Sequence, residues 1–265
     1  MKKLIIIKLG GSLITYKDNP HGRFRSSVVL RLAQEIKKIN KNFDVVVVCG
    51  AGSYGHPLAK KYSLKFGMET AEQKKGFSKV VNKVANLNAM VLAQFEKADI
   101  NAISLLPHSF ATQEAGTFAG FDFTLVKNYL ESGFVPILSG DMVLDSKWGC
   151  SVLSGDTIIS YLLESLSAIK VVFLSDVDGV FTNDPKKDKK AVFIPNITNK
   201  NFSEIKNLFT QESARNDVTG EMIGKLKEIK ERFSGTEVYI ANGYKRGILN
   251  DLISKTGVRA TKISF

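Results

Sequence analysis

The sequence predicts an α/β fold, a three-layer αβα sandwich around a mainly parallel central sheet. Two observations predict it. Short β-branched runs without polar alternation, such as residues 45–49, are typical of strands buried on both faces of a sheet. Longer segments between them, such as residues 26–40, carry apolar residues at helical spacing. Strands that alternate with helices in this way form parallel sheets with helices on both faces.

The individual elements follow from the same patterns. Helix 26–40 begins at two serines that can cap it, and helix 71–97 has a continuous apolar face. A hairpin over 139–156 lies between two Ser-Gly-Asp turns, and the second turn opens helix 157–166. The predicted strands are 4–8, 45–49, 100–105, 134–138, 171–174, 237–240 and 259–263. The remaining predicted helices are 125–132, 202–208 and 221–233, and a polar loop is predicted over 182–195.

Length and composition indicate one ordinary globular domain. The chain has 265 residues, of which 44% are hydrophobic and 24% charged. A mild division near residue 168 suggests two lobes, 1–168 and 169–265, and the absence of a linker between them predicts one shared sheet. No apolar run reaches the ~18–20 residues that span a bilayer, and Lys8 interrupts the short apolar patch at the start. We therefore expect a cytoplasmic protein that does not bind membranes, with Cys49 and Cys150 as buried free thiols.

The charge indicates the kind of partner. Lysine and arginine number 37 against 26 acidic residues, giving a formal net charge of +11. The lysines are spread along the chain, with one dense run at 186–190, and aromatic residues do not alternate with them as they do on base-stacking surfaces. This distribution favours anionic small molecules over nucleic acid.

Two glycine turns follow the first two predicted strands. Gly10 and Gly11 lie in KLGGS (8–12), and Gly50 and Gly52 lie in GAGSYGH (50–56). Glycine lets the backbone approach a ligand closely, and the N–H groups at a helix start attract anions. Both turns follow the carboxyl ends of strands, where open α/β sheets bind ligands. They predict phosphate-binding sites.

Three familiar nucleotide-binding classes fit poorly. GAGSYG satisfies the G-x-G-x-x-G dinucleotide fingerprint, but it follows the second strand, and the acidic residues about 20 positions later begin a helix instead of ending a strand. GEMIGKL (220–226) is one residue short of a P-loop and has Leu226 where Ser or Thr is required. The H-R-D and D-F-G motifs of protein kinases are absent from the sequence.

Three lysines lie beside glycine-containing motifs, at Lys8, Lys17 and Lys225. Phosphoryl transfer requires positioning and neutralisation of charge more than covalent chemistry. Lysines and turn N–H groups that converge on a phosphoryl group supply both.

Five motifs together resemble the amino acid kinase superfamily. They are KLGGS (8–12), the GxGSxGH turn (50–56), SGD (154–156), SDVDGVFTNDPK (175–186) and NDVTGEMIGK (216–225). Within the superfamily, the turn that ends in His56 is similar to that of isopentenyl phosphate kinases and of fosfomycin kinases, and the whole set looks most like the former. The resemblance extends from residue 8 to residue 225.

The resemblance implies a role for each motif. Lys8 would contact the transferring phosphoryl group, Lys17 would stabilise the transition state, and His56 would bind the acceptor's phosphate. Catalysis would thus involve Lys8, Lys17, Asp156 and Lys225, with Asp156 holding the lysines in place. The acceptor site would include Gly50, Ala51, His56 and Gly155. The ATP site would include Lys8, Gly10, Gly11, Ser12, Gly52, Asp176, Asp178, Phe181, Asp184, Pro185, Lys186, Gly220, Glu221 and Lys225.

The implied reaction is ATP-dependent phosphorylation of isopentenyl phosphate to isopentenyl diphosphate, a step of isoprenoid biosynthesis by the alternative mevalonate route. Mg²⁺ would be carried by ATP and not by a protein metal site. Residues 1–168 would bind the acceptor, residues 169–265 would bind the nucleotide, and a homodimer would form through 71–97. Two alternatives stay open: a same-fold kinase for fosfomycin or another small phosphonate or alkyl phosphate, and a non-catalytic nucleotide-binding protein.

The chain departs from the family pattern in three places. Ala51 stands where a middle glycine is usual, which is compatible only with a negative φ. Tyr16 stands where Asp is common, and Glu221 where a second glycine is common. Pro57 suits the first turn of a helix, so His56 is expected at a helix N-terminus, where partial positive charge favours an anion.

Overall fold

The computed structural model describes residues 2–16, 22–120, 122–213, 217–233, 235–254 and 257–265. Its helices are α1 Gly11–Ile14, α2 Ser26–Asn40, α3 Gly52–Lys61, α4 Ala71–Lys97, α5 Phe123–Glu131, α6 Gly155–Ser165, α7 Phe202–Ser213, α8 Asp217–Arg232 and α9 Ile248–Ser254. Its strands are β1 Leu4–Leu9, β2 Asp44–Cys49, β3 Ala102–Leu105, β4 Thr112–Glu114, β5 Thr117–Gly120, β6 Val135–Ser139, β7 Asp141–Asp145, β8 Gly149–Leu153, β9 Ala168–Ser175, β10 Val180–Phe181, β11 Phe193–Ile194, β12 Asn196–Thr198, β13 Glu237–Asn242 and β14 Ala260–Ser264.

The central sheet has eight strands in the order β12-β14-β13-β9-β1-β2-β6-β3. The six strands from β13 to β3 are parallel, and β14 pairs with β13 in the antiparallel sense. Helices cover both faces, so the predicted αβα sandwich is confirmed. The sheet contains strands from both sides of residue 168, as predicted.

Strand β1 shows how the sequence produces this burial. Ile5 and Ile7 pack into the apolar cluster beneath α2, α4 and α9, whereas Leu4 and Ile6 pack into the cluster on the opposite face, beneath α6 and α8. Successive side chains of a strand point to opposite faces, so Lys8 shares the face of Leu4 and Ile6. The strand therefore directs the Lys8 side chain toward α6 and α8.

Every predicted helix and strand is present, with ends that differ by a few residues. The prediction over 71–97 matches α4 because a capping box at Thr70 and Gln73 defines its start. The predicted hairpin is β7 and β8, which pair in the antiparallel sense. It belongs to a separate four-stranded sheet of order β5-β4-β7-β8.

The sequence analysis missed α1, α9, β4, β5, β10 and β12. The start of α9 and the turn between β4 and β5 are each held by a carboxylate from a distant part of the chain. Glu35 of α2 accepts the N–H groups of Gly247 at 3.0 Å and Leu249 at 3.1 Å, and so caps the start of α9. Asp145 accepts the N–H groups of Ala115 and Gly116 in the turn between β4 and β5. Caps that come from another part of the chain leave no local pattern.

The described helices contain no segment that is both long enough and apolar enough to cross a bilayer. Cys49 and Cys150 are buried free thiols, as expected.

Candidate active site

The carboxyl ends of the parallel strands meet at one edge of the sheet, and glycine N–H groups join them there. Gly10 donates its N–H to the carbonyl of Leu174 on β9 at 2.9 Å. Gly50 donates to Leu9 on β1, and Gly140 to Cys49 on β2, both also at 2.9 Å. Each strand thus passes into its glycine turn while still paired with a neighbouring strand. The turns are rigidly placed beside one another.

The two predicted phosphate turns are in direct backbone contact. A Cβ atom on Gly11 would lie 2.6 Å from the Cα of Gly52, and one on Gly50 would lie 2.5 Å from the N of Gly11. No side chain fits in either place. Because β1 and β2 are adjacent and in register, with Leu9 opposite Cys49, the turns that follow them come together.

Helix α3 begins earlier than predicted. It starts at Gly52, which has a φ of +50°, and the Ser53 N–H is accepted by Thr15 Oγ1 at 3.1 Å. The expectation that His56 and Pro57 open the helix is therefore wrong: Pro57 lies inside α3, and His56 is exposed on its second turn. Ala51 has a φ of −67°, so alanine is compatible with the turn.

Lys8, Asp156 and Lys225 form the charged centre of this edge. Asp156 is on the first turn of α6, which Ser154 caps by accepting the Thr157 N–H. Its Oδ1 lies 2.5 Å from Lys8 Nζ and 2.9 Å from Lys225 Nζ, and its Oδ2 lies 2.9 Å from Lys225 Nζ. One carboxylate holds two ammonium groups that come from β1 and α8.

The surroundings of this charged centre lower the pKa values of both Lys8 and Asp156. Burial and the nearby charge of Lys225 lower the pKa of Lys8 to about 8, although Asp156 opposes the shift. Burial alone would raise the pKa of Asp156, but the charges of Lys225 and Lys8 outweigh it and hold that pKa well below its usual range. The site therefore has more positive charge than its single carboxylate neutralises, which suits an anionic ligand.

Phe173 of β9 forms the apolar floor beneath the two lysines. It lies directly opposite Lys8 in the β1–β9 register. Its ring centroid is 5.8 Å from Lys8 Nζ and 4.7 Å from Lys225 Nζ. A ring face stabilises a cation while excluding water from one side of it.

A cavity of about 270 Å³ opens beside this centre. Nine of the residues predicted for the ATP site line it: Lys8, Gly10, Ser12, Asp176, Phe181, Asp184, Pro185, Lys186 and Lys225. Lys186 and Asp176 form an ion pair at its rim. The Asp184 carboxylate accepts the Lys186 N–H at 3.0 Å, which is the turn expected of Asp184 and Pro185.

The remaining predicted residues do not line the cavity among the residues that the structure describes. Gly155 is at the start of α6, where an added Cβ would lie 3.3 Å from Lys8 Cε. Asp178 is bound by Lys245 at 2.9 Å, by Arg259 and by Asn242, which places its carboxylate in a surface ion-pair network. Lys17 lies outside the described residues, and of Gly220 and Glu221 only the helical backbone is described.

Comparison with known proteins establishes the family. Residues 3–242 match the model of the amino acid kinase family. The chain belongs to the amino acid kinase family. It is therefore a phosphotransferase, and the resemblance seen in its motifs is confirmed.

Within the amino acid kinase family, the chain is similar to several proteins that are named isopentenyl phosphate kinase. The chain is 34% identical to isopentenyl phosphate kinase of Methanothermobacter thermautotrophicus, covering 98% of this chain and 99% of that one. It is 32% identical to that of Methanocaldococcus jannaschii, covering 99% of each. A crystal structure of isopentenyl phosphate kinase superposes with a TM-score of 0.83 and 33% identity, over 98% of this chain and 100% of that chain.

On the other side of the glycine turns, this amino acid kinase has an apolar cluster. Its buried members are Tyr62 and Leu64 just after α3, Val80 and Val84 of α4, and Met142 and Cys150 of the β7–β8 hairpin, and Leu58 and Ala59 of α3 pack against them. Ala51, Phe77 and Val81 pack against it. Apolar residues therefore adjoin the turn that was predicted to hold the acceptor.

Sequence reasoning missed most of the apolar lining of this cavity, namely Phe173, Leu174, Phe209, Met222 and Ile240, whereas Val177 lies within the SDVDGVFTNDPK motif. Phe173 and Ile240 belong to β-branched or aromatic strand runs that are typical of any buried strand. Their position two residues before the end of a strand was the one available signal, since ligands bind at the carboxyl edge. Phe209 and Met222 lie on α7 and α8, and their helical spacing is typical of core packing as well.

Proposed function

We propose that this chain transfers the γ-phosphoryl group of ATP to isopentenyl phosphate, forming isopentenyl diphosphate and ADP. The observation that carries the proposal is the Lys8–Asp156–Lys225 centre, which lies between the nucleotide-sized cavity and the glycine turns. The similarity to isopentenyl phosphate kinases over nearly the whole chain supports the choice of acceptor.

The reaction breaks the bond from the γ-phosphorus to the β,γ-bridging oxygen and forms a new P–O bond to the acceptor's phosphate. The attacking oxygen is already anionic near neutral pH, so no strong general base is needed. The difficulty is to bring two polyanions together. Lys8 and Lys225 neutralise charge on the transferring group, and Asp156 keeps both ammonium groups aimed at it.

The backbone supplies the remaining positive potential. Gly11, Ser12 and Gly52 present N–H groups to the ATP phosphates, and Gly10, whose own N–H is bonded to Leu174, lets the phosphates approach the backbone closely. Lys17 stabilises the transition state. The nucleotide also contacts Asp176, Phe181, Asp184, Pro185 and Lys186, and we extend the same role to Asp178, Gly220 and Glu221 on the motif resemblance alone. The acceptor's phosphate is held by Gly50, Ala51, His56 and Gly155.

The residues present fit Mg²⁺ that arrives with ATP. Among the described residues, no three acidic, histidine or cysteine side chains form a group that could hold a metal ion. The cationic centre suits a polyphosphate that already carries Mg²⁺, which neutralises part of the polyphosphate charge. Bound with the nucleotide, Mg²⁺ supplies neutralisation of the β- and γ-phosphate charge.

The acceptor's hydrocarbon tail would lie against the apolar cluster of α3, α4 and the β7–β8 hairpin. Burial of a five-carbon chain gains about 0.8 kcal/mol per CH₂ group, so this wall favours an alkenyl phosphate over a polar acceptor of the same charge. We also propose that the protein acts in the cytoplasm as a homodimer joined through α4.

The experiment is an ATP-consumption screen with isopentenyl phosphate, dimethylallyl phosphate, fosfomycin, carbamate, acetylglutamate and UMP. Isopentenyl phosphate should give the highest kcat/KM. A clear preference for a carboxylate acceptor, for UMP or for fosfomycin would refute the acceptor proposed here.

The same assay tests His56. His56→Ala should lower kcat/KM for the acceptor by about 10- to 150-fold, the loss of one charge-assisted hydrogen bond, and leave the affinity for ATP unchanged. His56→Gln, which can still donate a hydrogen bond, should recover part of the activity. Equal losses for ATP and acceptor would show that His56 only supports α3.

A further inference from the structure

Helices α6 and α8 are joined by three polar contacts in a row, which we call the α6–α8 ladder. Its first pair is Asp156 and Lys225. Its second is Ser160, whose hydroxyl donates to Glu228 Oε1 at 2.7 Å. Its third is Glu164 and Arg232, whose Oε1 and Nη1 atoms lie 2.5 Å apart.

The spacing of the ladder follows helix geometry. Residues 156, 160 and 164 are four apart and lie on one face of α6, and residues 225, 228 and 232 lie on one face of α8. The apolar face of α8, formed by Leu226 and Ile229 and continued by Phe233 just after the helix, is offset by one residue and packs into the core. The ladder is therefore a polar seam that runs from the charged centre to the surface.

Apolar packing and the ladder constrain α8 differently. Hydrophobic contacts are non-directional and tolerate small sliding or rotation of a helix. A hydrogen bond is confined to a range of a few tenths of an ångström, which is small beside the ~1.5 Å rise per helical residue. Ser160 is the fixed end of the second pair, because its hydroxyl oxygen is bonded directly to Cβ and its side chain is completely buried. A long lysine side chain can follow a shifted helix, whereas Ser160 cannot.

We infer that Ser160 and Glu228 are positioning residues that set the axial position of α8 and thereby aim the Lys225 ammonium group at the nucleotide. Ser160 is one turn from Asp156 on α6, and Glu228 is one turn from Lys225 on α8. The hydrogen bond between them therefore holds the helices together next to the Asp156–Lys225 ion pair. This inference rests on the proposed function, because it assigns Lys225 to the ATP phosphates.

The test is a double-mutant cycle read by nucleotide binding. Ser160→Ala keeps the helix and removes only the hydroxyl, and we expect it to weaken ADP and ATP-analogue binding by about 5- to 20-fold in calorimetry. KM for the acceptor should not change. In a Lys225→Met background the same substitution should have no further effect, because it acts through Lys225. Glu228→Gln, which retains an oxygen that can accept the hydroxyl, should give an intermediate loss.

Ser165→Ala is the matched control, since Ser165 is exposed at the end of the same helix. It should leave nucleotide affinity unchanged. Ser160→Ala with a lower Tm but unaltered nucleotide affinity would overturn the inference, as would losses that simply add in the cycle. If the wild-type protein binds no adenine nucleotide, the proposed function itself fails, and this outcome is distinct from the other two.

Discussion

The lowered pKa of Lys8 predicts an alkaline limit on activity. Lys8 must be protonated to neutralise phosphate charge, and burial together with the Lys225 charge brings its pKa to about 8. The value of kcat/KM for ATP reports the ionisation of the free enzyme. As far as Lys8 determines it, kcat/KM for ATP should therefore be constant below pH 7 and fall as the pH rises through 8.

The size of the fall follows from the pKa. With half-protonation at pH 8, the protonated fraction drops by about 30-fold between pH 7 and pH 9.5. The profile of kcat should bend at a higher pH, because bound phosphates surround Lys8 with negative charge and raise its pKa in the complex. The separation between the two profiles measures how strongly the nucleotide interacts with Lys8.

The assay is ADP release at saturating acceptor between pH 6.5 and 9.5, with the wild-type protein and two variants. Lys8→Arg carries a guanidinium group that stays protonated over this range, so its alkaline limb should vanish even if its rate is lower. Lys186→Arg, a change at the exposed rim of the cavity, should keep the limb. A flat wild-type profile to pH 9.5, or an unchanged limb in Lys8→Arg, would refute the reasoning.

Two further predictions concern stability. The pKa of Lys8 is lower in the folded than in the unfolded chain, so its charged form reduces stability below pH 8 and this effect fades above it. Lys8→Met should therefore abolish turnover yet raise stability at pH 7 by about 1–3 kcal/mol, seen as a higher Tm in calorimetry; an unchanged or lower Tm would count against this. Gly52→Ala combines a φ of +50° with a Cβ 2.8 Å from the Gly11 carbonyl oxygen, and should lose at least about 2–3 kcal/mol in urea denaturation. Gly133→Ala, with a φ of +81° and no atom within 4 Å of its Cβ, should lose only about 1 kcal/mol; equal losses would show that the contact between the glycine turns adds nothing.

Much of the fold is determined locally. The β-branched runs define the strands, and the apolar face of 71–97 together with the Thr70 capping box defines α4. The positions of the glycine turns follow as well, because parallel strands necessarily end at a common edge. Those features depend on neighbours a few residues away, which is why a single sequence suffices to predict them.

The charged centre depends on distant parts of the chain. Lys8 and Asp156 are 148 residues apart, and Asp156 and Lys225 are 69 apart. Motif resemblance placed these residues in one site, but their distances follow from the side of β1 that Lys8 occupies and from the packing of α6 against α8. The early start of α3 likewise depends on Thr15, which lies 38 residues before Ser53.

The sequence by itself determined most strands, most helices, the glycine turns and the family. The tertiary structure alone decided that His56 is on an exposed second turn, that Phe173 lies beneath two lysines, and that α6 and α8 share a polar seam. The physical reason is that helix and strand propensities act over a few residues. The convergence of side chains instead depends on which face each element buries, and long-range packing determines that.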